Sequence, residues 1–345
     1  MLSDNYVLKV AGTAVLSLFF INPVMPQEIK PSADIRLMFY NAENLFDTKD
    51  DSAKNDNDFL PGGVMRWNQT RYLKKINSLY KTIIAAGGWE PPALVALCEI
   101  ENRDVLADLV YGTYLSNYGY GIVHQESPDE RGIDVCFIYR KDKVKILEVR
   151  SWLPETADST KLHTRSVMYA KTEISGDTIN LIINHWPSRR GGVLAGESLR
   201  TEIAAMVRRA ADSISSAAGG KAKTVIIGDF NSSPDDPAIR LLNEKKDDQK
   251  GSRLVNLAAR TGAQGTYRYM GTWETIDQVI VSEWLLDCPS GLSTDKDGYR
   301  VFNAPFLLRK DSKYPGDSPY STYKGYRYQG GFSDHLPVLL DLRVR

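Results

Sequence analysis

From Ile35 onward the chain alternates short apolar runs with amphipathic stretches. Seven runs are too short for helices and rich in Val, Ile and Leu, as buried strands are. They are 35–41 (IRLMFYN), 93–99 (ALVALCE), 133–140 (IDVCFIYR), 179–185 (INLIINH), 223–231 (KTVIIGDFN), 276–282 (IDQVIVS) and 336–342 (LPVLLDL). Two longer stretches have helical spacing instead. In 68–86, Leu73, Ile76, Tyr80 and Ile83 recur at threes and fours before Gly87-Gly88. In 197–218, Leu199, Ile203, Met206, Ala210 and Ile214 do the same before Gly219-Gly220, and glycine after the last periodic residue is a helix stop. No period repeats along the chain. The pattern predicts a mixed α/β protein with much sheet.

The runs end on polar residues. Asn41, Glu99, His185, Asp229 and Asn231 each close an apolar run or stand just after it; Asp277 opens one, and Asp334-His335 stands just before another. A single Asp after a strand is most often a turn or cap residue. So many polar ends, holding two of only four histidines, fit a site built on the rim of a rigid sheet.

Composition narrows the class. Charged residues are 25% and hydrophobic residues 42% of 345, which excludes collagen-like, low-complexity disordered and multi-span membrane chains. With 43 basic and 43 acidic side chains the net charge is zero, which disfavours binding nucleic acid through a bulk positive field and leaves a local basic groove open. Three cysteines are too few and too odd for a disulfide framework; Cys98 and Cys136 lie in apolar runs, as small hydrophobes do. Residues 10–27 carry no charge, but Asn22-Pro23 interrupts them. They read as a secretory segment rather than a membrane span, so the protein is expected to be exported: periplasmic, extracellular or tethered by this segment.

Six motifs in order, YNAENLF (40–46), LCEIEN (97–102), NHWPSR (184–189), GDFNSSP (228–234), IDQVIVS (276–282) and SDHLPV (333–338), resemble those of the endonuclease/exonuclease/phosphatase superfamily, which includes deoxyribonuclease I-like enzymes. Each string is weak alone; six in the right order over nearly the whole chain are specific. The resemblance implies one domain over 32–345 after an export segment at 1–27. It also implies a four-layer α/β/β/α sandwich, two mixed sheets packed together with helices outside.

The resemblance further implies metal-assisted hydrolysis of a phosphoester with Mg²⁺ or Mn²⁺ as cofactor, and gives each matched residue a role. Glu99 is the metal-ligand glutamate, Asp334 a further metal-site carboxylate, Asn41 the amide supporting them and Glu43 a position for a second acidic ligand; hard oxygen donors suit such ions. Asp229 orients and deprotonates water, with Asn231 beside it. His335 donates to the phosphoryl group, Asp277 orients it, and His185 also faces the phosphate. Arg131 falls where a basic residue contacts substrate, although a solvated loop Arg fits equally. Pro187 stands where relatives often carry Lys.

Three stretches stay open. Arg189-Arg190 either holds a phosphate or lines a turn. The acidic segment 47–59 lacks the Gly and final Glu of an EF-hand loop. The Tyr-rich stretch 314–331 either stacks on a base or sugar or packs on the protein. The first functional reading is an exported phosphodiesterase of the nuclease type. The second is a phosphatase or phospholipase-type enzyme acting on a small molecule or lipid headgroup, and the third a binding module without catalysis, which the intact residue set disfavours. The expected partner is the phosphoester substrate, for a monomer with no stable protein partner.

Overall fold

The computed structural model describes residues 34–155, 164–189, 196–244, 253–260 and 265–345. The expected export segment at 10–27 and Arg190 lie outside them. All seven expected strands form, with shifted ends. β1 is Ile35–Leu45, β2 Leu94–Ile100, β3 Tyr120–His124 and β4 Asp134–Arg140. β5 is Val144–Trp152, β6 Val167–Ile174, β7 Asp177–His185, β8 Lys223–Asp229 and β9 Leu254–Asn256. Later strands include Asp277–Ser282 and the C-terminal Val338–Val344.

The strands make two large mixed sheets. In the first the order is Leu292–Ser293, Val338–Val344, β1, β2, β4, β3; in the second it is β5, β6, β7, β8, Asp277–Ser282, β9. β1 runs parallel to β2 and β7 parallel to β8, and the other neighbours are antiparallel.

Alternation along each strand builds the layers, because successive side chains point to opposite faces. Leu37 and Phe39 of β1 meet Leu181 and Ile183 of β7, Val225 and Ile227 of β8 and Val279 in a core between the sheets. Their neighbours Met38 and Tyr40 face outward onto helices α1, Gln69–Gly87, and α2, Arg103–Tyr111. Ile182, Ile226 and Ile280 face α3, Glu197–Ala217. The result is helix, sheet, sheet, helix. Residues Ala33–Arg345 form one compact unit.

Asn68 caps α1 by accepting from Arg71 N, and Gly88, at φ +74°, follows it. The buried stripe of α1 is Tyr72, Ile76, Leu79 and Ile83; Leu73 is turned to solvent, one position off the expected stripe. The three cysteines are free and buried. No helix among the described residues is long and apolar enough to cross a membrane.

Candidate active site

The inward-facing row of each central strand turns from apolar to polar at one end of the inter-sheet core. Along β1 the row reads Ile35, Leu37, Phe39, Asn41; along β7 Ile179, Leu181, Ile183, His185; along β8 Val225, Ile227, Asp229. Register then sets the polar ends side by side. His185 pairs with Asp229 across the parallel β7–β8 ladder, and Asp277 pairs with Asp229 across the antiparallel one. Leu336 N donates to Thr266 O, and Tyr267 bridges to His335, which brings the C-terminal motif to the same rim.

Glu99 needs a device to reach that rim. Strict alternation after Leu97 (helix side) and Cys98 (inter-sheet side) would aim Glu99 at the helices. A register shift between Cys98 and Ile100, with Glu99 at φ +58°, turns it inward instead. Glu43, Asn44 and Asn231 also have positive φ, so four of the seven such non-glycine residues among the described residues cluster here. Conformations of that kind cost of order 1–3 kcal/mol each and persist where the surroundings over-determine them.

Asp229 is the hub. Its Oδ2 accepts from Asn41 Nδ2 at 3.1 Å and its Oδ1 from Asn231 N at 2.9 Å. His185 Nε2 and His335 Nε2 stand 3.8 and 3.9 Å from Oδ2. Burial, reinforced by Asp277 and opposed by His335, pushes the Asp229 carboxyl up to about 7. Asn231 Nδ2 donates to Trp186 O.

The two imidazoles are driven to opposite charge states. Burial, then the charges of Arg165 and Arg131, hold His185 well below the usual histidine range. Burial opposes charge on His335 as well, but Asp277 and Asp229 together outweigh it and hold the ring protonated well above that range. His335 Nδ1 lies 2.8 Å from Asp277 Oδ2, and the ring packs on Tyr267 with centroids 4.9 Å apart. At neutral pH a neutral and a cationic imidazole therefore flank one carboxylate.

Glu99 Oε2 accepts from Asn44 N at 2.9 Å, while its Oε1 has only longer approaches, 3.5 Å to Asn41 Nδ2 and 3.7 Å to His185 Nε2. The Asp334 carboxyl is raised by desolvation, against the pull of His335, and by the charge of Glu99. Two hard carboxylates within electrostatic reach, one with an oxygen so weakly engaged, fit a divalent cation. Asp229, Asp277 and His335 also lie within 4.8 Å of one another. Within that trio His335 Nδ1 is already engaged by Asp277 Oδ2 at 2.8 Å.

Glu43 reaches the Tyr-rich stretch. Its two oxygens accept from Thr322 N and Tyr323 N, and buried Lys75 Nζ stands 3.8 Å away. These contacts anchor the Tyr-rich stretch, and burial together with the nearby Asp334 charge pushes the Glu43 carboxyl up to about 7. Arg131 is partly exposed, with Nε 4.0 Å from Asp129 Oδ1, and its charge reaches His185. Arg189 spans Asn231 O, Glu274 and Asp236, so it ties the 228–234 loop instead of facing a phosphate. In the acidic segment 47–59, Asp47, Asp51 and Asp56 accept from nearby backbone N–H groups. Tyr323 packs among Phe59, Trp67 and Tyr328, and Tyr320 against Phe332, while Tyr326 is exposed.

A profile of the Endonuclease/Exonuclease/phosphatase family matches residues 36–344. The chain belongs to this family. Among solved structures it is similar to an endonuclease/exonuclease/phosphatase from Bacteroides vulgatus, at 15% identity and TM-score 0.57, covering 90% of this chain and 99% of that one. It is similar to a mannosyl-6-phosphatase from Bacteroides thetaiotaomicron, at 16% and 0.56 over 89% and 99%. D. rerio TDP2 complexed with single strand DNA product gives 14% and 0.53 over 90% and 98%. At such identities the likeness carries the fold alone. No curated protein matches by sequence.

Within this family member, two residues outside the six motifs, Arg165 and Lys75, support the rim. Arg165 is buried, donating to Asp129 Oδ2 at 3.2 Å and to Trp186 O at 2.8 Å, the same carbonyl that accepts from Asn231. Lys75 lies on the inner face of α1, donating to Phe332 O at 2.6 Å and to Thr322 Oγ1. A lysine beside the Tyr72, Ile76 and Leu79 stripe of an amphipathic helix is the signal that exposes it.

Proposed function

We propose that this chain is an exported, divalent-metal-dependent phosphoester hydrolase in which Asp229 activates water and His335 stabilises the transition state. The observation that carries the reading is the buried carboxyl of Asp229 between two imidazoles, His185 Nε2 at 3.8 Å and His335 Nε2 at 3.9 Å, the first neutral and the second cationic. A carboxyl pushed up to about 7 is matched to general-base work at neutral pH. Asn41 and Asn231 hold it by one oxygen each, which aims the remaining lone pairs. As the water oxygen bonds to phosphorus and the ester O–P bond opens, Asp229 takes the water's proton, and the departing ester oxygen takes one from solvent to leave as the alcohol. His335, kept cationic by Asp277, donates from Nε2 to the phosphoryl oxygens as negative charge gathers there. Neutral His185 adds a polar group without a second positive charge that would depress Asp229. A cation held by Glu99 and Asp334, with Asn41 in support, would polarise the phosphoryl group and neutralise its charge. The uncharged stretch 10–27 supports export.

Two substrate readings remain distinct. A nucleic-acid phosphodiester is the first, in keeping with the DNA product held by the similar TDP2 structure. A small phosphorylated molecule is the second, and one observation favours it: Tyr320, Tyr323 and Tyr328 are spent on packing, which leaves fewer rings for stacking bases. Plasmid DNA, RNA, inositol phosphates, sphingomyelin and a sugar 6-phosphate, each assayed with Mg²⁺ and with chelator, separate the readings. Turnover of none of them, in folded protein supplied with Mg²⁺ or Mn²⁺, would overturn the proposal.

A further inference from the structure

A second group of ligating side chains stands where β3 ends and β4 begins. One ring nitrogen of His124 and one carboxylate oxygen each from Glu126 and Asp134 lie within 4.8 Å of one another. His124 Nε2 is 3.1 Å from Asp134 Oδ2, and the two side chains are 4% and 0% exposed. Neither atom makes a hydrogen bond. The separation is short enough for one, so the oxygen stands off the direction in which the ring nitrogen points. Asp134 Oδ1, in contrast, is satisfied by Ser127 N at 2.9 Å.

Buried polar atoms that face each other this closely without a hydrogen bond call for a specific cause, a bound ion among them. The spacing agrees with that cause. Ligands bonded at about 2.0–2.2 Å to one tetrahedral ion stand roughly 3.3–3.5 Å apart, close to the separation seen here. Glu126 is 60% exposed, which leaves the outer side of the group open to water.

We propose that His124, Asp134 and Glu126 bind a borderline divalent transition-metal ion of the zinc class, at a site sharing no residue with the active site. An imidazole nitrogen selects such an ion over Mg²⁺ or Ca²⁺, which prefer all-oxygen sets. Its place in the fold gives the ion a positioning task. It would clamp the connection from His124 to Asp134, which carries Asp129 and Arg131. Asp129 holds Arg165, Arg165 holds the Trp186 carbonyl, and that carbonyl accepts from Asn231 beside Asp229. Lys54 secures the same connection through Ser127 O and Asp129 O.

Equilibrium dialysis of metal-stripped full chain against Zn²⁺, in excess Mg²⁺ and with metal analysis, tests the site. Wild-type protein and a Glu99→Gln control are expected to retain one equivalent of Zn²⁺ that His124→Ala lacks. Glu126→Gln should weaken its binding at least about tenfold, since even partners outside a coordination shell are worth that much. Glu126 is exposed, so this variant decides the matter if His124→Ala does not fold. Equal Zn²⁺ in wild type and both variants, or none in wild type, would overturn the site and leave a plain histidine–carboxylate pair.

Discussion

His335 Nδ1 and Asp277 Oδ2 stand 2.8 Å apart, although 58 residues separate them in the chain. The pair keeps His335 protonated well above the ordinary value of 6.5. Because the folded state raises this group above its unfolded value, the stabilisation is fully present below about pH 6.5. It is lost as pH rises through the folded value. Asp277→Asn should cost about 3–5 kcal/mol at pH 6 by urea unfolding, the range for breaking one side of a buried pair, and much less at strongly alkaline pH. A pH-independent difference would show that the histidine is not charged.

Activity should follow a bell in pH. Asp229, raised to about 7, must lose its proton to act, so kcat/KM should climb through neutrality. It should fall again where His335 gives up its proton, well above 6.5. Asp229→Asn should lower the rate on the order of 10²–10⁴ with the fold intact by circular dichroism. A profile still rising through pH 7 in that variant would reassign the base.

Glu43 and Glu99 should respond differently to removal of charge. Glu99→Gln should raise the Mg²⁺ or Mn²⁺ concentration needed for half-maximal activity. Glu43→Gln should leave that concentration unchanged and lower stability by about 1–3 kcal/mol, as its hold on Thr322 N, Tyr323 N and Lys75 weakens. A shifted metal requirement in the Glu43 variant would return it to the metal site.

Chelation should abolish hydrolysis of any phosphoester, and Mg²⁺ or Mn²⁺ should restore it. Full turnover after exhaustive chelation would exclude a role for Glu99 and Asp334 as ligands.

Export predicts that protein recovered from its own host either lacks its first ~20–27 residues or stays tethered to membrane by them. Mass spectrometry of a soluble cytosolic chain beginning at Met1 would contradict it.

The sequence by itself determined seven of the strands, the two long helices, the polar strand ends and the family, because each is written in a short window; the more polar β3, β5 and β6 carry no such run. An alternating run such as IRLMFYN dictates its two faces locally, and the inward row carries Asn41 to the rim without help. Tertiary structure decided what depends on distant neighbours. Alternation alone turns Glu99 toward the helices, and a bulge against β4 brings it back. His185 and His335 look alike as letters and differ in charge because Arg165 and Arg131 reach one while Asp277 and Asp229 reach the other. Glu43 stands two residues from Asn41 in the chain, and only the fold brings Thr322 N and Tyr323 N, about 280 positions away, to its oxygens. Short-range pattern encodes which face a side chain takes; charge and bonding partners are set by whatever the fold packs beside it.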